Sequence, residues 1–395
     1  MHIDVNNAFL SWTAVDLLKN GSKYDIRNSY AVIGGDESKR HGVVLAKSMG
    51  AKKLGIITGE PLFSARKKCP NIGIYPPNHE LYKYMSNKMF ELLSKYSPDI
   101  EVYSIDECFL DYTKVKRLYG DELKFAYKIK DEIKNTLGFT VNIGIGNNKL
   151  CAKMATDFSK PDKVHTLYSY EIEEKMHPLP IGKLFGIGKK SNEKLTNLGI
   201  KTIGDLSKYD PNKLYRYFKN QSAKIIELAK GIDNSEVISD SGLSKGISNS
   251  TTISYDLTTK KEIYHVIEAL VDNVLITLRN QKRYAYVIAI ILKDKNFRSY
   301  SHQTKLINAT NNTKEVFETA KRLFDEIWDN EPIRLVGVRL DNLVSKVNHQ
   351  VSLFENIDHK KKENELETIV DELKLKYGTE VIKKASLHSS KHYPK

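Results

Sequence analysis

The chain has 395 residues, with 62 Lys and Arg against 49 Asp and Glu, a net charge of +13 and a pI near 9.2. That is too long for one ordinary core, so about two to four domains are expected, and the basic excess favours phosphate-bearing partners while leaving the fold open. The three cysteines, Cys69, Cys108 and Cys151, form no Cys-x-x-Cys spacing, and no stretch approaches the roughly eighteen apolar residues of a membrane span; a disulfide frame, a zinc site and a membrane anchor are excluded in favour of a soluble protein of a reducing cytoplasm.

The chain enters a strand directly at His2-Ile3-Asp4-Val5, which carries an acid, and a helix is predicted from Glu80 to Tyr96. Next comes Tyr103-Ser104-Ile105-Asp106-Glu107-Cys108-Phe109-Leu110-Asp111. Its flanks are rich in Tyr, Ile, Val and Phe and read as two short strands. Successive strand residues point to opposite faces, so an acid pair that serves one site belongs where the alternation breaks, at the bend of a hairpin. Adjacent carboxylates repel and are costly to bury unless a cation compensates. A bare Asp-Glu pair is common, and a solvated turn is its ordinary explanation. Asp4 adds a further hard oxygen donor. Three such donors without Cys or His suit Mg²⁺, which keeps waters and takes its remaining ligands from substrate phosphates, as in a two-metal phosphoryl-transfer site.

Thr140 to Ile145 reads as a strand, followed by a glycine turn and a helix with Leu150, Met154 and Phe158 inward and Lys149, Lys153 and Lys160 outward. Amphipathicity alone explains these lysines as a solvated face. Lys160 stands apart because Pro161 ends the helix directly after it, and a lysine at a helix end is placed to meet a triphosphate as a point charge. The run Leu179-Pro180-Ile181-Gly182-Lys183-Leu184-Phe185-Gly186-Ile187-Gly188-Lys189-Lys190 leads into a helix ending near Gly199. Gly186 and Gly188 free backbone N–H groups at that helix start, with Lys190 beside them, where a phosphate is favoured. Ile200 to Leu206 completes a helix-hairpin-helix pattern, a sequence-independent grip on the DNA backbone; an ordinary loop between helices is the alternative.

Ser235 to Gly246 is polar and Ser/Gly/Asp-rich and reads as a linker. Ile263, Val266, Ile267, Leu270, Val274 and Leu278 then recur at helical spacing. Strands are predicted over Tyr286 to Leu292, Phe297 to Lys305 and Ile333 to Leu343, with a helix over Lys314 to Trp328. Two helices on one face of a four-stranded antiparallel sheet fit this order. Gln350-Val351-Ser352-Leu353-Phe354 follows, with two large apolar residues in a polar setting that have no core to fill, which favours a pocket in a partner. Leu366, Ile369, Val370, Leu373 and Tyr377 make a helical stripe expected to pack on the protein itself.

With these blocks in this order, the chain resembles the Y-family lesion-bypass DNA polymerases of the DinB/UmuC kind over nearly its whole length. The resemblance rests on Asp4-Val5-Asn6-Asn7-Ala8-Phe9, Gly42-Val43-Val44-Leu45-Ala46 with Ala51-Lys52-Lys53-Leu54-Gly55, Ser104-Ile105-Asp106-Glu107, Asn148-Lys149 through Lys160-Pro161, and Phe185-Gly186-Ile187-Gly188. It implies an α+β multidomain right hand, with a palm at 1–8 and 76–167, fingers at 9–75 and a helix-hairpin-helix thumb at 168–238. A linker at 239–246, a little finger at 247–345 and a tail at 346–395 complete it. It also implies two Mg²⁺ ions on Asp4, Asp106, Glu107 and the Val5 carbonyl. Phe9 falls at the steric gate against a ribose 2′-OH, and Lys52 and Lys160 at positions that grip the incoming deoxynucleoside triphosphate. Arg298, Arg334 and Arg339 are candidates for phosphate contacts of the little finger, and each singly fits a solvated strand residue equally well. Gln350, Leu353 and Phe354 resemble the peptide by which bacterial polymerases dock on the sliding clamp, the beta subunit.

The chain departs from the pattern at Ala8, Thr13, Met49 and Lys52, where the family often has an aromatic, an acid, a tyrosine and an arginine. Lysine lacks the bidentate fork of arginine, which implies weaker nucleotide binding. The activity implied is low-fidelity, template-directed synthesis by a monomer on primer-template DNA across damaged bases. The competing reading is a DNA-binding accessory protein with a dead palm. Retention of Asp4, Asp106 and Glu107 favours the enzyme, because a dead site has no use for three costly acids.

Overall fold

Short apolar runs and side-chain caps set the elements of this computed structural model, which describes residues 1–40, 42–239, 242, 244–346, 357–378 and 381–382, excepting the side chains of 39 and 357–365. The candidate clamp residues Gln350, Leu353 and Phe354 lie outside the described residues. β1 (His2–Val5) is buried along its length and turns into α1 (Ala8–Lys19) through Asn7, whose left-handed φ of 49° is one that Asn tolerates. Then come β2 (Ala31–Gly34), β3 (Val44–Lys47), α2 (Met49–Lys53), α3 (Leu62–Lys68) and β4 (Gly73–Tyr75). α4 (His79–Ser94) starts where the Asn78 side chain accepts from the Leu81 N–H. It is followed by β5 (Ile100–Val102), β6 (Glu107–Leu110), α5 (Lys116–Tyr119), α6 (Glu122–Leu137), β7 (Val141–Gly146), α7 (Lys149–Thr156) and β8 (Val164–Leu167). Four further helices, α8 (Lys189–Asn197), α9 (Ile203–Ser207), α10 (Pro211–Phe218) and α11 (Ser222–Ala229), complete the first of two units, residues 1–35 and 42–241.

In that unit a five-stranded sheet runs β5-β6-β1-β7-β8, with β1 antiparallel to both neighbours and β7 parallel to β8. The register sets Asp4 opposite Glu107 on one side and opposite Asn142 on the other. Trp12, Tyr82, Ile129, Phe139 and Ile143 fill the core beneath. A three-stranded sheet, β3-β2-β4, carries the fingers segment, with β2 and β4 parallel. α7 lies so close to β7 that a Cβ on Gly144 would sit 2.0 Å from the Ala152 carbonyl oxygen. Glycine at that position is what lets the helix approach the sheet.

The expected helix through Lys160 is shorter. α7 ends at Thr156, and Asp157 to Pro161 is a loop outside it. Lys149 and Lys153 do not form a solvated face either: Lys153 is buried, and both are ion-paired. The first residues of the expected linker are held down, since the Ile238 N–H and the Glu236 carbonyl both bond into the Glu101–Lys149 pair.

The second unit comprises residues 36–41 and 242–395. It contains β9 (Gly246–Leu257), α12 (Lys260–Asn280), β10 (Tyr284–Asp294), β11 (Ser299–Thr310), α13 (Thr313–Ile327), β12 (Ile333–Val344) and α14 (Ile357–Tyr377). The sheet runs β11-β10-β12-β9, all antiparallel, and α12 and α13 pack on it around Ile267, Leu270, Ile290, Phe324 and Val338. β9 supplies the fourth strand, whose first half is a Ser/Thr/Asn-rich run and whose second half alternates at Ile253, Tyr255 and Leu257. The stripe on α14 does not pack as expected. Leu366 and Ile369 are 62% and 55% exposed, whereas Asp371 and Lys374 are buried.

Candidate active site

The Asp-Glu pair sits at a hairpin bend. β5 and β6 are antiparallel, Asp106 closes the turn between them and Glu107 opens β6. β1 brings Asp4 alongside through its pairing with Glu107, so acids about a hundred residues apart in sequence become cross-strand neighbours. The Val5 N–H donates to the Asp106 carbonyl at 3.0 Å and fixes β1 against the bend. Asp106 itself accepts from the Ser104 hydroxyl at 2.7 Å.

Lysines neutralise these acids. Lys160 Nζ lies 2.5 Å from Asp4 Oδ2 and 2.8 Å from Asp157, and Lys153 Nζ lies 2.8 Å from Glu107 Oε1. His2 stands 3.6 Å from the other Glu107 oxygen, while its Nδ1 meets Thr156 Oγ1 at 3.0 Å. Burial pushes the Asp4 carboxyl up to about 7 against the pull of Lys160, with Glu107 adding to the rise. Burial also raises Glu107, but His2, Lys153 and Asp4 together outweigh it and hold that carboxyl well below the usual range. Burial keeps His2 neutral by lowering its pKa to about 4.

A cavity of about 340 Å³ opens beside Asp4 and Asp106. Phe9, Lys52 and Lys160 line it, together with Lys47, Met49 and residues 5–8. Phe9 stacks on Tyr82 with ring centroids 4.3 Å apart and planes 8° from parallel. The Tyr82 hydroxyl meets Thr13 Oγ1 at 3.0 Å, and Thr13 also donates to the Phe9 carbonyl. The gate candidate is therefore a ring on a braced wall, and Thr13 takes part in the brace.

Gly186 and Gly188 are exposed at the start of α8, Gly186 with a left-handed φ of 88°, and Lys190 is exposed in the first helical turn. Arg298 is exposed in the turn after β10, and the Arg334 guanidinium lies 4.6 Å above the Phe297 ring. Arg339 pairs with Asp341 at 2.7 Å and donates to Gln303, so its charge is already partly matched.

Lys47, Lys153, His2 and Asn6 escaped the sequence reading. Lys47 ends β3, donates to Thr58 Oγ1 at 3.0 Å and has its pKa lowered by burial and then by nearby Lys52. No local signal marked even Lys153, which falls one helical turn after Lys149 on the side that amphipathicity reads as outward.

Residues 3–157 match the impB/mucB/samB family, residues 244–353 its C-terminal domain and residues 171–200 the HHH motif of the IMS family. The DNA polymerase IV of Clostridium acetobutylicum is 49% identical over 386 residues, 98% of this chain and 97% of that one. The chain belongs to the DinB-type Y-family DNA polymerases. The DNA polymerase IV of Clostridium kluyveri is 34% identical over 395 residues, covering 98% of this chain and 97% of its own length. Among solved structures, a Y-family DNA polymerase chimera shares the fold with a TM-score of 0.75 at 24% identity, covering 87% of this chain and 99% of that one. DinB from Sulfolobus solfataricus gives 0.57 at 25% identity, with the same coverage. This Y-family member is a DNA-directed DNA polymerase with the α+β right-hand fold, and its four-stranded sheet with two helices is the little finger. Among the described residues, no helix is long and apolar enough to cross a membrane.

Proposed function

We propose that this polymerase extends primers with deoxynucleotides opposite damaged template bases, at low fidelity, using Mg²⁺ at Asp4, Asp106 and Glu107. The observation that supports this best is the cross-strand pairing of Asp4 with Glu107 beside the Asp106 bend, where Asp4 and Asp106 line one cavity with Phe9, Lys47, Lys52 and Lys160. The donors are all hard oxygens, and the raised Asp4 carboxyl marks a place where charge awaits a cation. Among the described residues, no three acid, imidazole or thiol groups close around a point by themselves. Two ions there would draw on the Val5 carbonyl, waters and substrate phosphates, as Mg²⁺ commonly does. When bound, they would lower the pKa of a primer 3′-OH and offset charge on the triphosphate.

The chain's own residues do the rest. Lys160 and Lys52 present ammonium charges to the triphosphate. Phe9, backed by Tyr82, leaves no room for a ribose 2′-OH. Gly186, Gly188 and Lys190 grip backbone phosphates, as do Arg298 and Arg334, while Arg339 must exchange Asp341 for a phosphate to join them. The domain limits given above, a monomeric state, a cytoplasmic location and clamp docking through Gln350, Leu353 and Phe354 belong to the same proposal.

The test is Asp106→Ala in a primer-extension assay alongside DNA binding by anisotropy. Extension should vanish while binding to primer-template DNA persists. Near-normal extension would remove Asp106 from the mechanism.

A further inference from the structure

We propose that Asn6 and Asn142 are positioning residues that fix Lys160 against the triphosphate. This rests on the reading of Lys160 as a phosphate contact. Both side chains are buried, Asn142 fully and Asn6 to 7% exposure, and neither has a part in the chemistry assigned so far. Asn142 lies on β7 directly opposite Asp4 on β1, so its carboxamide starts beside the catalytic acid.

From there the two carboxamides reach the Lys160 loop on both sides. Asn142 Nδ2 donates to the Ser159 carbonyl at 2.6 Å and the Thr156 carbonyl at 3.1 Å, which precede Lys160. Asn142 Oδ1 accepts from the Lys163 N–H at 3.3 Å and from Asn6 Nδ2 at 3.0 Å. Asn6 Oδ1 accepts from the Asp162 N–H at 2.8 Å and from Thr140 Oγ1 at 3.0 Å. The backbone is thereby held at Thr156 and Ser159 before the lysine and at Asp162 and Lys163 after it. A second anchor grips the far end, where Lys130 and Lys134 each bond the Asp162 carboxylate at 2.8 Å.

A buried carboxamide pair in which both oxygens accept twice and the Asn142 amide donates twice is rigid, and its partners have no water to turn to if it is cut. α7 has already ended at Thr156, and the other fixings of the loop are the Asp157 and Phe158 N–H bonds back to its last turn, a Ser159–His165 contact and the Lys160 ion pairs. The Lys160 ammonium is paired with Asp4 and Asp157, and the pinned backbone sets the root from which the side chain reaches them. A purely structural role, as a cap for the last carbonyls of α7, is the competing account of Asn142.

A double-mutant cycle with steady-state kinetics separates the two. Asn142→Ala and Asn6→Ala should each raise the KM for the incoming deoxynucleotide by about tenfold, the scale of one charged hydrogen bond, with a smaller change in kcat and unchanged primer-template affinity. Combined with Lys160→Ala, neither should add a further rise, because each acts only through that lysine. Two results overturn the inference: a KM that moves with Lys160→Ala and not with the asparagine variants, or effects that multiply in the doubles. An unchanged KM in Lys160→Ala itself would instead refute the phosphate role of Lys160, and this inference would fall with it. Should Asn142→Ala not fold, Asn6→Ala, which removes the bond to the Asp162 N–H, decides the matter in the same cycle.

Discussion

Helices α7 and α14 both bury charged side chains, but they are held by different forces. α7 also buries Leu150, Cys151, Met154 and Ala155 in an apolar cluster with Leu167, Met176, Leu184 and Ile226, so apolar contact seats it whatever its lysines do. Its ion pairs, Lys149 to Glu101 at 2.6 Å and Lys153 to Glu107 at 2.8 Å, are then free to serve the acids across from it. The described side chains of α14, from residue 366 on, form no such seat. The described part of its inward side is charged, with Asp371 at 2.5 Å and Glu367 at 3.1 Å from Arg279, and Lys374 at 3.6 Å from Asp272, while Leu366, Ile369 and Tyr377 face outward. Desolvating such pairs costs nearly as much as their attraction returns. Buried charge therefore tunes a site where packing has already fixed the helix, and gives only a weak hold where it must do the fixing.

The sharpest way to break this comparison is at Lys153. If its role is to hold Glu107, Lys153→Ala should slow single-turnover nucleotide addition by about a hundredfold, the cost of removing one preorganised electrostatic contact. The fold should survive, because the apolar side of α7 is untouched. Wild-type rates in that variant would make Lys153 an ordinary buried lysine.

Asp4 probes the cost of keeping charge in the same place. Its folded pKa of about 7 lies above the ordinary aspartate value of about 4, so the folded chain holds a proton that the unfolded chain has released across that window. Stability of the metal-free protein should fall as pH rises from about 4 to 7, by roughly 1 kcal/mol per pH unit, and Asp4→Asn should abolish that dependence. In chelator, urea denaturation should show the variant more stable than wild type at pH 8 and equal to it below pH 4, with polymerase activity lost. A variant less stable at pH 8 would mean that the Lys160 pair outweighs burial.

The acids were legible because each is local to a strand pattern: Asp4 in an apolar start, Asp106 and Glu107 where alternation breaks. Their counter-charges were not. Hydropathy assigns a lysine to the solvent side, and nothing near Lys153 in sequence announces that Glu107 waits on the neighbouring strand. The same limit inverted α14, whose Leu366, Ile369, Val370, Leu373 and Tyr377 stripe reads as an inner face until Arg279 and Asp272 are seen to attract its acids and Lys374 instead. β9 was hidden for a different reason. Gly246–Leu257 is a strand made by its pairing with β12; only Ile253-Ser254-Tyr255-Asp256-Leu257 alternates, and the Ser, Thr and Asn residues before it carry no alternation to read. Lys160 was singled out on an incorrect premise, since it belongs to a loop pinned from outside and not to a helix end.

The smallest effect is expected at α14, and it tests the comparison from its weak side. Asp371→Ala removes one acid from Arg279, which keeps Glu367, the Asn311 carbonyl and the Thr313 hydroxyl as partners. The loss should be about 1–3 kcal/mol of docking free energy, below the full cost of orphaning a buried charge. Amide exchange along residues 366–377 should then quicken some tenfold to a hundredfold, while exchange in β10 and α12 and basal primer extension stay as they were. Leu366→Ala and Ile369→Ala, on the outward stripe, should leave that protection unchanged. If the leucine and isoleucine variants loosen the helix and Asp371→Ala does not, α14 is seated by its apolar side in solution, and the contrast with α7 disappears.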